Sequence, residues 1–278
     1  TRRSSDLASQ LGLKTAVVER ESLGGICLNW GCIPTKALLK SAEVAETFQH
    51  AADYGFKADK WSHDFAAVIK RSRGVADGMS KGIQFLFKKN KITHLQGTAK
   101  LNEDKSVTVT DSDDQRETHT AAHVIIATGA RSRELPGLEI DGKQIVGYRD
   151  AMTLPKQPKK MVVMGTGYIG SEFGYFYNAM GTEVTLVEYL DRMMPAGDKD
   201  VSKEMEKIMN KKGVKLMTKT KVTSAKKLKN SIKVTVEGPK GEEEIEADVL
   251  LSAVGVVANV EGLGLEALGV KMDGGLID

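Results

Sequence analysis

Two cysteines stand in the run Gly24-Gly25-Ile26-Cys27-Leu28-Asn29-Trp30-Gly31-Cys32-Ile33-Pro34-Thr35-Lys36, and the 278-residue chain has no others. In a straight α-helix, residues five apart have Cα atoms about 8.5 Å apart, beyond the roughly 7 Å that a disulfide spans. A bridge between Cys27 and Cys32 therefore needs a distorted helix. Gly31, with Gly24 and Gly25 ahead of the segment, supplies the residue type that permits one. A strained or exposed bridge is easily reduced, which suits exchange with a substrate thiol, and a helix start favours the thiolate. Two inert core thiols fit the spacing as well. Zinc does not, because there is no second cysteine pair and no histidine at ligand spacing, so no metal site is expected.

A second chemical signal lies at Gly165-Thr166-Gly167-Tyr168-Ile169-Gly170. The loop follows the apolar run Met161-Val162-Val163-Met164, opens a helical pattern, and has Glu188 eighteen residues after Gly170. In that context the first glycine allows a tight turn, the second lets a pyrophosphate approach backbone, and the third lets helix pack on strand. The N–H groups and positive helix end then face phosphate. Glu188 can accept from the adenosine ribose hydroxyls, which favours NAD over NADP. An ordinary tight turn with a solvated acid is the plainer alternative.

The elements that position these groups recur. Residues 11–19 (LGLKTAVVE) resemble 180–188 (MGTEVTLVE), each a helix end and a strand closing on an acid. The alternating run 106–110 and the apolar run 122–129 are echoed by 231–236 and 247–255, each an alternating strand, a hairpin and a buried strand. The front acids Glu19 and Glu188 are 169 residues apart, but Gly129 and Gly255 only 126, so the first block carries about 43 extra residues. That insert holds both cysteines and helical patterns over 35–51 and 65–89. The offset places a first glycine loop ahead of residue 1 and aligns the polar run Thr1 to Asp6 with a helix start or a tail.

Forty basic against 37 acidic residues leave a net charge of +3, which argues against nucleic acid or anionic membrane as partner. Twenty-eight glycines against six prolines suit close backbone approach in an α/β nucleotide-binding protein. No apolar run reaches the roughly 18 residues of a membrane span, and residues 1–20 lack a signal-peptide core, so a cytoplasmic protein is expected.

The cysteine segment through Leu39, together with Ala127-Thr128-Gly129-Ala130 and the run 165–174 (GTGYIGSEFG), resembles the flavin-dependent pyridine nucleotide disulfide oxidoreductases, and within them looks most like the dihydrolipoamide dehydrogenases. The resemblance covers roughly residues 11–278. It implies two Rossmann-like three-layer domains: an incomplete FAD domain over 1–145, an inserted NAD domain over 146–257, and a return segment over 258–278. It also implies oxidation of dihydrolipoyl groups on the acyltransferase of a 2-oxo acid dehydrogenase complex, with FAD and NAD as cofactors and a homodimeric full-length enzyme. Cys27 would exchange with the substrate thiol, Cys32 would pass electrons to the flavin, and Lys36 with Glu172 would form the ion pair beside it. Glu19, Gly24, Gly25, Ala99, Thr128 and Gly129 would lie along FAD. Gly165, Gly167, Tyr168, Ile169, Gly170, Glu188, Val222 and Gly255 would line the NAD site, with Tyr168 covering the flavin in the nicotinamide pocket. The family's His-Glu base has no match among His50, His63, His94, His119 and His123, and Val256 stands where the family usually has Arg. Other flavin disulfide reductases, of the glutathione or mercuric type, and a non-catalytic NAD-binding fragment are the alternatives.

Overall fold

Two runs, the apolar 161–164 and 249–252, apolar up to Ser252, are long enough for strands and too short for helices, and both are buried along their whole length. Such runs suit parallel strands covered on both faces. The computed structural model describes residues 2–278, and Thr1 lies outside them.

The elements run α1 (Arg2–Gln10), β1 (Ala16–Glu19), α2 (Gly25–Trp30), α3 (Cys32–Gln49), a 3-10 turn (Ala51–Tyr54), α4 (Phe65–Lys89), β2 (Thr93–Gln96), β3 (Thr98–Leu101), β4 (Val107–Thr110) and β5 (Arg116–His119). Then follow β6 (Ala130–Ser132), β7 (Ile145–Val146), α5 (Tyr148–Ala151), β8 (Lys160–Met164), α6 (Tyr168–Ala179), β9 (Glu183–Val187), α7 (Lys199–Lys211) and β10 (Lys215–Met217). The chain closes with β11 (Lys221–Lys227), β12 (Ile232–Gly238), β13 (Gly241–Ala247), β14 (Val249–Ser252), β15 (Val256–Ala258), a 3-10 turn (Glu266–Leu268), β16 (Met272–Asp273) and β17 (Leu276–Ile277). It divides into two compact units, one of residues 1–29, 75–131 and 257–278, the other of residues 30–74 and 132–256.

The second unit is built on a five-stranded parallel sheet in the order β10-β9-β8-β14-β7. Helix α6 buries Phe173, Phe176 and Tyr177, and a Cβ on its Gly174 would come within 2.8 Å of Leu186 on β9, so helix and strand meet almost backbone to side chain. The antiparallel meander β11-β12-β13 supplies the third layer. Its central strand alternates, and Ile232, Val234 and Val236 are fully buried in a cluster with Ile145, Val162, Met164 and Leu250. Helices, parallel sheet and meander form the expected Rossmann-like three-layer α/β arrangement.

In the first unit β1 pairs with β2 in parallel, and Leu23, Leu28, Ile83, Phe87 and Ile92 form a core with Val17 packed against it. A separate meander, β3-β4-β5, carries the alternating residues 107–110. The insert is helical as expected. Of the two alternatives for the polar run 2–6, a helix start or a tail, it is the helix: it forms the body of α1, which continues to Gln10. One local expectation fails. Residues 122–129 form no strand among the described residues, and Val124 and Ile125 are 45% and 69% exposed. Their counterpart β14 gains its ladder from β8 on one side and β7 on the other, whereas residues 122–129 have no such ladder among the described residues. An apolar run without ladder partners cannot bury its backbone groups as a sheet strand.

Strand β7 is short and is held by Asp141. Its carboxylate accepts the N–H groups of Lys143, Gln144 and Ile145 at 2.8, 2.9 and 2.9 Å and pairs with Lys227 of β11 at 2.7 Å. Partial burial opposes the charge, but the Lys227 ammonium and the three N–H donors outweigh it and hold the carboxyl at about 2. A depressed pKa contributes stability above the ordinary carboxylate value, and that contribution is lost as pH falls toward about 2. We expect Asp141→Asn to destabilise the chain by about 1–2 kcal/mol at pH 7, with the difference from wild type shrinking between pH 4 and pH 2; urea titrations at several pH values measure it.

Candidate functional site

Strand β8 ends on Met164, and the chain must turn at once to begin α6 at Tyr168. Gly165 makes that turn with φ of +96°, and a Cβ there would lie 2.5 Å from the carbonyl oxygen of Ala253. At Gly170 a Cβ would lie 1.9 Å from the carbonyl oxygen of Gly165. No side chain can occupy either position. At Gly167 a Cβ would meet nothing within 4 Å. Two glycines thus close the turn from within, and the middle one leaves bare backbone facing open space at the start of a twelve-residue helix. This geometry fits a pyrophosphate, whose oxygens would take the N–H groups of the first helical turn. Tyr168 is 64% exposed at the helix start, and Ile169 is half-buried.

Glu188, one residue beyond β9, is only 6% exposed. Its Oε2 accepts both the backbone N–H and the hydroxyl of Thr166 at 2.8 Å, and its Oε1 accepts the N–H of Leu190 at 2.9 Å. The plainer expectation of a solvated acid at a strand end does not hold: the charge is buried and tied to the glycine loop. The part played by Thr166 has no sequence signal, because the middle position of G-x-G accepts many residue types. Val222 is buried in β11 opposite Val236. Gly255 has φ of +104°, and its carbonyl accepts the N–H of Arg133 at 3.0 Å.

Cys32 begins α3, and Gly31 before it interrupts the helical path that ends at Trp30. This is the kind of break that a bridge between Cys27 and Cys32 would need. Both cysteines are exposed thiols. The guanidinium carbons of Arg73 and Arg149 lie 4.1 and 5.0 Å from the Trp30 ring centroid, so cation–π contact holds the residue before Gly31.

Helix α3 is fastened along α6. Lys36 pairs with Glu172, Tyr175 donates its hydroxyl to Glu46 Oε2 at 3.0 Å, and Gln49 donates to the carbonyl of Ala179 at 3.2 Å. The contacts advance in the same sense on both helices, so the two run parallel with their starting ends together. The start of α3 carries Cys32; the start of α6 carries the glycine loop. Lys212, just past α7, pairs with Glu46 Oε1 and sits 5.3 Å from the centre of the Tyr175 ring. Burial, the hydrogen bond to Glu46 and the nearby carboxylates push the Tyr175 phenol up to about 12. Of these groups the sequence pattern singles out only Lys36 and Glu172.

In the first unit, Glu19 closes β1 and its Oε1 accepts the N–H of Glu21 at 2.8 Å. A Cβ on Gly24 would lie 2.9 Å from Leu28, whereas one on Gly25 would meet nothing within 4 Å. Ala99 pairs with Val109 across the small meander. The Thr128 hydroxyl donates to the carbonyl of Asn259 at 2.6 Å, and the N–H of Asn259 donates to the carbonyl of Gly129 at 2.9 Å.

The sequence profile of the pyridine nucleotide-disulphide oxidoreductases matches residues 4–278, and the chain belongs to that family. It is 47% identical over 286 residues to a dihydrolipoyl dehydrogenase of Rhizobium etli, covering 97% of this chain and 60% of the relative. It is 41% identical over 271 residues to a dihydrolipoyl dehydrogenase of Zymomonas mobilis, covering 97% and 58%. Among solved structures, LpdA from Mycobacterium tuberculosis superposes with a TM-score of 0.90 at 25% identity, over 99% of this chain and 60% of the other. The chain thus spans about three fifths of the length of these relatives. No helix among the described residues is long and apolar enough to cross a membrane.

Glu46 is the shared acceptor that joins α3, α6 and the end of α7. Glu46→Gln leaves the Lys212 ammonium without its counter-charge, and we expect a loss of about 1–2 kcal/mol in urea unfolding. The Tyr175 phenol should then titrate at lower pH, read by absorbance at alkaline pH.

Proposed function

We propose that this chain is the nucleotide- and disulfide-bearing part of a dihydrolipoyl dehydrogenase that oxidises dihydrolipoyl groups of 2-oxo acid dehydrogenase complexes. The observation that carries the reading is the glycine loop with its open face at Gly167 and its buried acid at Glu188, in one chain with a cysteine pair broken at Gly31. The relatives' names support it. The division into residues 1–145, 146–257 and 258–278 belongs to the same reading.

In the oxidised enzyme, Cys27 and Cys32 would be joined as a disulfide. A dihydrolipoyl thiolate attacks the sulfur of Cys27 and releases Cys32 as a thiolate; the second lipoyl thiol then displaces Cys27 and leaves as lipoyl disulfide. Two electrons now reside on the cysteine thiols. The chemistry that bound FAD would supply is two-electron transfer from these thiols, with the Cys27–Cys32 disulfide re-formed, and on to NAD, with NADH and a proton as the products. Glu19, Gly24, Gly25, Ala99, Thr128 and Gly129 would hold FAD, and Lys36, fixed by Glu172, would set a positive charge where reduced flavin is favoured. Gly165, Gly167, Ile169, Gly170, Val222 and Gly255 would shape the NAD site, with Tyr168 covering the nicotinamide pocket. Glu188 would accept from the adenosine ribose, which favours NAD. The electron donor would be the lipoyl-bearing acyltransferase, and the complete enzyme would be a homodimer. A transient, catalytic cysteine bridge suits the cytoplasm, where structural disulfides are rare.

The chain mixed with FAD and gel-filtered should keep a protein-perturbed flavin spectrum, and in the full-length enzyme Cys27→Ser should lower NAD reduction by dihydrolipoamide by roughly 10³-fold or more while leaving the flavin bound. A colourless chain, or undiminished turnover in Cys27→Ser, contradicts the reading.

A further inference from the structure

Thr166 is fully buried although it lies between two glycines of a surface loop. Each of its polar groups is engaged. Its N–H and hydroxyl both donate to Glu188 Oε2 at 2.8 Å. Its carbonyl accepts the N–H of Met194 at 3.0 Å and the hydroxyl of Ser171 at 2.9 Å. Met194 holds a φ of +45°, a left-handed conformation unusual for a side chain of its size, while it donates to the Thr166 carbonyl.

An ionised carboxylate offers about four acceptor positions. At Glu188, Thr166 fills two on Oε2 and the Leu190 N–H fills one on Oε1. One position on Oε1 remains. A carboxylate held this way is a directed acceptor, and it cannot turn aside when a second negative charge approaches.

We propose that Thr166 is a positioning residue that sets nucleotide specificity: by fixing Oε2 of Glu188 it presents Oε1 to a ribose hydroxyl and holds a negative charge against a ribose phosphate. This inference rests on the nucleotide reading of the glycine loop and deepens it. With the hydroxyl removed, Oε2 keeps one donor, the side chain gains rotational freedom, and the acid can swing toward solvent. A dinucleotide with a free 2′-hydroxyl then loses its aligned acceptor, and one with a 2′-phosphate meets less repulsion.

The test is the dissociation constants of NADH and NADPH for the 278-residue chain, measured by calorimetry for wild type, Thr166→Val, Thr166→Ser and Glu188→Ala. Valine keeps the branched shape and the backbone N–H, so it removes only the hydroxyl. The preference for NADH should fall about tenfold in Thr166→Val, the scale of one hydrogen bond to a charged group, and return to within about twofold of wild type in Thr166→Ser. A preference unchanged in Thr166→Val but lost in Glu188→Ala overturns the inference and leaves the nucleotide reading standing. A wild-type chain that binds neither nucleotide, or both alike, overturns the reading itself and the inference with it. Should Thr166→Val fail to fold, as judged by circular dichroism, Thr166→Ala replaces it with the same two outcomes.

Discussion

The second unit depends on the approach of the Gly165 carbonyl to Gly170, which leaves no room for a Cβ. That contact lets the chain leave β8 and enter α6 within three residues, so the helix start stands directly over the carboxyl end of the central strands. Gly174 continues the closeness by admitting Leu186 of β9. The N–H groups of the first helical turn and the positive end of α6 then face the same open space beside Gly167. In an open parallel sheet this is the crevice beside the strand-order reversal, here between β8 and β14. The chemistry is therefore placed by packing: where backbone meets backbone, side chains are excluded, and where it does not, a ligand has access.

The same loop sets the electrostatics. A buried carboxylate is tolerated only when its oxygens are satisfied, and Glu188 meets that demand with two donors from Thr166 and one from Leu190. Loop shape and acid orientation are consequently one property. Helix α3 is joined to this arrangement through α6 by Lys36, Glu46 and Gln49, which bring the Cys32 end and the glycine-loop end to the same side of the helix pair. The surface pair Lys36–Glu172 contributes little to stability at its exposure. Its value is in holding a cation at a fixed place.

Much of this was legible in the sequence for physical reasons. The runs 161–164 and 249–251 show as strands because burial on both faces favours unbroken apolar residues, and 232–236 shows because a half-buried strand alternates. The glycine loop shows because steric exclusion leaves only one residue type. Gly31 between the cysteines shows because helix geometry forbids a bridge without a break. What was hidden depends on partners. Residues 122–129 carry an apolar pattern like that of β14, but pairing is a property of neighbours, so the same pattern stays exposed. The inward turn of Thr166 and the Glu46–Tyr175–Lys212 cluster join residues far apart in sequence, at positions where many residue types fit.

The central claim is that the loop 165–170 is a dinucleotide cradle opened at Gly167. Amide hydrogen exchange of the chain with and without NADH tests it directly. Protection that rises at the amides of residues 167–171 and around Glu188, with the β3-β4-β5 meander unchanged, is the result this account predicts. Unaltered exchange at the loop under saturating NADH, or protection confined to another segment, would contradict it.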